Sequence, residues 1–329
     1  MLRKALPAIL LASLSIVAPA QTPAPEAKQT HLDMTGVEIP KLENFRPLPE
    51  PDKELTAKLE KIVKEVGLDA MTPADKNEDK EDEWSSICLV DLSDPTNPKV
   101  AGWKQDNFIY PASTYKMYVL GEVIRQVVEG KIRLDDEVTP KEKNFRGDPE
   151  FKVDHKYTVS EILRLVTTYS DNSAANETID LVGRKQATAL MWALGCKGSE
   201  ITRKYVPRKN EDEGYANIVS TTTNALHQAT FLWAVESGAI GGGRGRGLIK
   251  SYLAMDQTDG KRFRAGVPKS ATLFSKTGTY SNFNSEAAIV EDGRTRYILC
   301  ALTALEEKDA DPKLAKLAEK VHALMKEGK

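Results

Sequence analysis

Apolar and polar positions alternate with two different periods along this chain, and the places where the period changes mark out its architecture. From Asp52 to Leu68, "DKELTAKLEKIVKEVGL" places Leu55, Leu59, Ile62, Val63 and Val66 near helical spacing, which predicts a first helix. After the acidic linker "TPADKNEDKEDE", the run "WSSICLVDL" reads as a strand, "DPTNP" as a turn and "KVAGW" as a second strand. A helix-rich middle follows from Ser113 to about Glu236. Strand character returns in "ATLFSKTGTY", "SEAAIVED" and "TRYILCALTAL", with "EDGR" (Glu291 to Arg294) as the hairpin turn between the last two. The closing "DPKLAKLAEKVHALMKE" is an amphipathic helix, started by Asp311 and Pro312.

Strands at both ends around a helical middle predict one sheet built from both ends of the chain, with a helical lobe inserted between. This is an α/β (α+β) arrangement: an antiparallel sheet flanked by helices, from about 53–110 and 248–329, and a helical lobe over about 111–247. A cleft between the lobes is the expected site. Ahead of this domain, residues 21–52 carry repeated prolines ("TPAPEA", "RPLPEP") and read as an extended tether. Residues 1–20 have the form of an export signal: basic "MLRK", apolar "ALPAILLASLSIVA", then a small-residue cleavage site ending at Ala20. The mature chain is expected to lack a membrane span and to work in the periplasm or as a secreted protein.

Composition narrows the function by exclusion. A net charge of −2 over 329 residues, with no long basic run, gives no footprint for nucleic acid. Cys88, Cys196 and Cys300 are few and far apart, so they form neither a disulfide framework nor a zinc site, although one bridge among them stays open. Scattered histidines supply no metal motif, and nothing in the sequence calls for a cofactor. "GGGRGRG" (Gly241 to Gly247) lacks the Gly-Lys-Ser/Thr ending of a phosphate loop and is expected to be a flexible loop between helices.

Three stretches carry candidate chemistry. In "YPASTYKMYVL", Ser113 and Lys116 stand three apart at the start of a long apolar run, so on a helix they share one face beside its N-terminus. A serine hydroxyl with an amine in reach is a nucleophile with its base. In "TTYSDNSAANETI", Ser170, Asp171 and Asn172 fit helix capping equally well, yet a hydroxyl can pass a proton to a leaving nitrogen and an amide can orient substrate and lysine. In "SKTGTY", Lys276, Thr277 and Gly278 lie within a strand. Glycine there marks a close approach to the backbone, and a lysine beside a threonine suits a carboxylate.

In order and spacing, these three stretches resemble the class A serine β-lactamases and the related penicillin-binding DD-peptidases. "AGWKQDNFIYPASTYK", "GKIRLDDEV" and "RAGVPKSATLFSKTG" extend the resemblance over roughly Glu54 to the C-terminus. What it implies is acyl transfer without metal or cofactor. Ser113 attacks the carbonyl, Lys116 is its base with Lys276 favouring the neutral amine, and Ser170 hands the proton to the departing nitrogen. Backbone N–H groups of Ser113 and Thr279 would form the oxyanion hole. Lys276 and Thr277, beside Gly278 and Thr279, would hold the substrate carboxylate, and Asn172 the substrate and Lys116. The implied partner is a β-lactam or a peptidoglycan stem peptide, and the implied state a monomer. Three activities remain open: β-lactam hydrolysis, D-alanyl-peptide cleavage, and covalent trapping without turnover.

The chain departs from that family in two places. Efficient members place a glutamate in a Glu-x-x-x-Asn pattern after the second motif to activate water. Here "VPRKN" (Val206 to Asn210) is the favoured alignment and puts Val206 at that position, whereas "EGYAN" makes Glu213 the candidate base. In the strand after the third motif, where many β-lactamases carry an arginine, "NSEAAIV" supplies Glu286, which would repel an anion unless paired.

Overall fold

The computed structural model describes residues 29–69, 85–254 and 260–327. The expected export signal at 1–20, the first part of the tether and the acidic linker lie outside the described residues. Helix α1 (Lys53–Glu65) leads, capped by Asp52, whose Oδ1 accepts the Leu55 N–H. Strands β1 (Ser85–Asp91) and β2 (Lys99–Trp103) follow, then α2 (Lys116–Val128), a small ribbon of β3 (Glu137–Val138) and β4 (Tyr157–Thr158), and α3 (Val159–Thr168). Helices α4 (Asn172–Val182), α5 (Arg184–Ala193), α6 (Ala225–Glu236), α7 (Gly242–Leu253) and α8 (Arg262–Gly266) complete the middle. Strands β5 (Thr272–Tyr280), β6 (Phe283–Asp292) and β7 (Thr295–Thr303) and helix α9 (Glu307–Lys326) close the chain.

The strands form one antiparallel sheet in the order β2-β1-β7-β6-β5, so the two chain ends meet where β1 pairs with β7. Alternation along the central strands explains its two faces. Cys88, Val90, Ala287, Ile289, Ile298, Cys300 and Leu302 turn toward α2 and α6, while Ile87, Leu89, Ala288, Val290, Leu299 and Ala301 turn toward α1 and α9. Both faces are covered, which is why these strands are almost continuously apolar. The three cysteines are free and buried, and serve as small core residues. The hairpin expected at Glu291 to Arg294 is present, with Asp292 opposite Thr295 and Gly293 at φ 62°.

Three expectations are corrected. Residues 242–247 are not a flexible loop: they begin α7, and a Cβ on Gly245 would stand 2.0 Å from the Ile240 carbonyl oxygen. The glycines let α7 close down on that turn and on Val128 of α2. Helix α9 starts at Glu307, ahead of the expected Asp311, and runs through Pro312. The described part of the tether is extended but not free. Thr30 pairs with Ile218, Leu32 is buried, Leu42, Phe45 and Leu48 pack against the core, and the Trp233 indole donates to the Arg46 carbonyl at 2.8 Å. It is a strap laid over the domain. No helix among the described residues is long and apolar enough to cross a membrane.

Candidate active site

Ser113 sits on a tight 3-10 turn, Ala112–Tyr115, that feeds directly into α2. The residue before it, Ala112, is held at φ 49°, in the left-handed region that non-glycine residues avoid. Ser170, between α3 and α4, stands at φ 54°. Unfavourable backbone of this kind persists only where surrounding contacts impose it. At Ser170 those contacts are visible: Lys116 Nζ donates to the Ser170 carbonyl oxygen and to Asn172 Oδ1 at 2.9 Å, and lies 3.3 Å from Ser170 Oγ. The amine is buried beneath the cleft, and the next residue, Asp171, caps α4 through the Ala174 N–H. Burial pushes the Asp171 carboxyl up to about 6, with the charge of Asp148 adding to it and the capping bond opposing.

The third side comes from β5. A Cβ on Gly278 would lie 2.5 Å from the Pro111 carbonyl oxygen and 2.9 Å from the Ser113 backbone nitrogen, so only glycine lets the strand reach the nucleophile. Lys276 is fully buried on the same side of β5, and its Nζ donates to the Thr277 carbonyl at 3.0 Å. Ser113, Ser170, Asn172, Thr277 and Thr279 therefore line a single cleft of about 270 Å³, with Tyr110, Tyr205 and Tyr280 as its aromatic walls. Glu213, the candidate base, is elsewhere: it is exposed and does not line the cleft.

Two residues at the site escaped the sequence reading. Arg262, at the start of α8, is buried and forks behind β5, donating to the carbonyls of Gly278 and Ser285, to Asn284 Oδ1, and to Thr279 Oγ1 at 2.6 Å. It fixes a guanidinium behind Thr279, which lines the cleft, on a chain whose β6 lacks the arginine many β-lactamases carry on this strand. Glu286, feared there as a repelling charge, is buried on the opposite side of the sheet from Ser113, cross-strand from Thr277, and its Oε2 accepts the Phe263 N–H at 3.0 Å.

The second residue is Tyr205. Neither Val206 nor Glu213 but Tyr205 reaches into the site from the loop after Arg203. Its hydroxyl donates to the Ala112 carbonyl at 3.5 Å, beside Ser113, its ring centroid lies 4.3 Å from Lys116 Nζ, and it stacks on Tyr115 at 5.1 Å. The Asn176 side-chain oxygen accepts its N–H at 2.7 Å. Val206 lines only the adjoining outer groove. Ion pairs hold this loop. Lys204 is buried between Asp180 at 2.6 Å and Asp212 at 2.9 Å, and Glu211 joins Arg184 to Arg203. Burial works against the Asp212 charge, but Lys143, Lys204 and Arg184 outweigh it and hold the carboxyl well below its usual range.

Comparison with known proteins agrees with this geometry. The β-lactamase enzyme family model matches residues 69–325. The chain belongs to that family. It is 33% identical over 167 residues to a β-lactamase of Streptomyces albus G, covering 50% of this chain and 52% of that protein. It is 31% identical over 173 residues to β-lactamase AST-1 of Nocardia asteroides, covering 52% and 55%. The chain thus spans about half the length of these curated relatives. The fold is similar to that of PBP-A, with a TM-score of 0.69 at 19% identity, covering 85% of this chain and 98% of that one. The expected mixed antiparallel architecture of this family is the observed one.

Proposed function

We propose that this member of the β-lactamase family is an exported serine acyl-transfer enzyme of the β-lactamase type, acylated at Ser113 by β-lactams and hydrolysing their amide bond slowly. The observation that carries the reading is the convergence at Ser113: Lys116 bound to Ser170 and Asn172 on one side, and Gly278 pressed against the Ser113 backbone on the other. In the forward step, Ser113 Oγ bonds to the carbonyl carbon while its proton passes to Lys116. The amide C–N bond breaks and the nitrogen takes a proton from Ser170, which Lys116 replaces. The backbone N–H groups of Ser113 and Thr279 receive the developing oxyanion. Lys276, Thr277 and Thr279, with Arg262 behind them, suit the carboxylate that penicillins and D-alanyl peptides share.

That shared carboxylate supports a second reading, a peptidase acting on D-Ala-D-Ala stem peptides. The observation favouring it is that no carboxylate lines the cleft among the described residues. Intact-protein mass spectrometry separates the cases. Mixing with a penicillin should add one acyl group to the wild type and none to Ser113→Ala, and an undiminished adduct in that variant would overturn the nucleophile. Release of terminal D-alanine from a stem peptide faster than penicillin hydrolysis would move the peptidase reading ahead.

A further inference from the structure

Once Ser113 carries an acyl group, its release requires water. A water oxygen must bond to the ester carbon, the C–Oγ bond must break, one water proton must pass to a base and Ser113 Oγ must regain a proton. The structure bears on where that water can stand. Tyr205 lines the cleft beside Ser113, its hydroxyl 3.5 Å from the Ala112 carbonyl oxygen and its ring over Lys116 Nζ. The side chain is pinned by the Tyr115 stack and by the Asn176 bond to its backbone.

Resting on the acylation at Ser113 argued above, we propose that Tyr205 makes the Ser113 ester long-lived: its ring and hydroxyl occupy the side of Ser113 from which a water would be activated. Burial pushes its phenol well above the ordinary value, so it stays protonated and takes no proton from water at neutral pH. No carboxylate of this loop substitutes for it, because Glu213 is exposed outside the cleft, Glu211 is committed to Arg184 and Arg203, and Asp212 to Lys143, Arg184 and Lys204. Lys116 Nζ is held by the Ser170 carbonyl oxygen and by Asn172 Oδ1, beneath the Tyr205 ring. Tyr205 is thus a residue that acts on the lifetime of the intermediate more than on its formation.

The test follows the adduct over time by intact-protein mass spectrometry after mixing with benzylpenicillin, for the wild type, Tyr205→Phe and Tyr205→Glu. The wild-type adduct should persist for hours. Tyr205→Phe keeps the ring, so both its acylation rate and its adduct lifetime should stay within about twofold of the wild type. Tyr205→Glu puts a proton acceptor beside the ester and should shorten the lifetime at least tenfold. A wild-type adduct that clears within seconds, or a folded Tyr205→Glu with an unchanged lifetime, overturns the inference. If Tyr205→Glu does not fold, the wild-type and Tyr205→Phe lifetimes decide it. Absence of any wild-type adduct is a different result, since it overturns the acylation reading itself.

Discussion

Strand β5 and the loop from Arg203 to Ser220 face each other across Ser113, yet they are held in place by different forces. Every residue of β5 is matched to a partner on β6, from Thr272 opposite Glu291 to Tyr280 opposite Phe283, and Arg262 braces its far end. The loop has little such ladder. Lys204, Glu211 and Arg208 fasten it through ion pairs and through donation to the carbonyls of Ala216 and Ile218. A ladder fixes each side chain by its position in the repeat, so a three-residue motif on β5 is enough to announce its chemistry. Loop residues are fixed by charges supplied from α4 and α5, and no short local pattern records which one will enter the cleft.

The largest effect is expected on the strand side. Gly278→Ala should drive β5 and the Ser113 turn apart, since its Cβ would meet two backbone atoms and Ser285 Oγ closer than 3.0 Å. Penicillin acylation should fall by about 100-fold or more, read by stopped-flow or quenched mass spectrometry. On the loop side, Lys204→Met leaves Asp180 and Asp212 facing each other in a largely buried site. It should cost about 3 kcal/mol in denaturant unfolding, with acylation affected less than by Gly278→Ala. Retention of full stability would mean that Lys141, Lys143 and Arg184 alone neutralise the pair.

Arg262→Lys tests the brace between the two kinds of wall. A lysine cannot reproduce the fork to Gly278, Ser285, Asn284 and Thr279, and carboxylate-bearing substrates should bind about tenfold more weakly, seen in the concentration dependence of acylation. An unchanged dependence would confine Arg262 to support of the strand. The smallest effect is on pH. The folded protein holds a proton on Asp171 up to about pH 6, whereas the unfolded chain releases it near pH 4. Stability from this group is therefore present below that window and lost as pH rises through it. Asp171→Asn keeps the cap on Ala174 and should remove that loss, so its melting temperature should gain on the wild type between pH 4.5 and 7. Buried His227, lowered to about 4, acts in the opposite sense as pH falls and is untouched by the substitution.

Much of this fold was legible because sheet and helix periods are local. The strands at both ends, the turn at Gly293 and the helix from Lys53 follow from residue spacing alone. Gly241 to Gly247 misled because glycine ordinarily opposes helix, and the reason for it, contact with Ile240 and Val128, is tertiary. Ser113, Lys116, Ser170, Asn172 and Lys276 to Thr279 were legible as motifs. Tyr205 was not, because a search for glutamate passes over an aromatic residue, although "KYVP" lies next to the favoured alignment. Arg262 was hidden by distance, as it reaches Thr279 from another element.

The meeting of β1 with β7 has a consequence for biosynthesis. Ser113 leaves the ribosome after only two of the five strands of the sheet, β1 and β2, and the strand that completes its surroundings arrives some 160 residues later, at Thr272 to Tyr280. A nascent chain is therefore chemically silent for most of its synthesis, and reactivity arises in one late event when the last three strands join the first two. Chains truncated before β5 should show no penicillin adduct at all, however well their helices form.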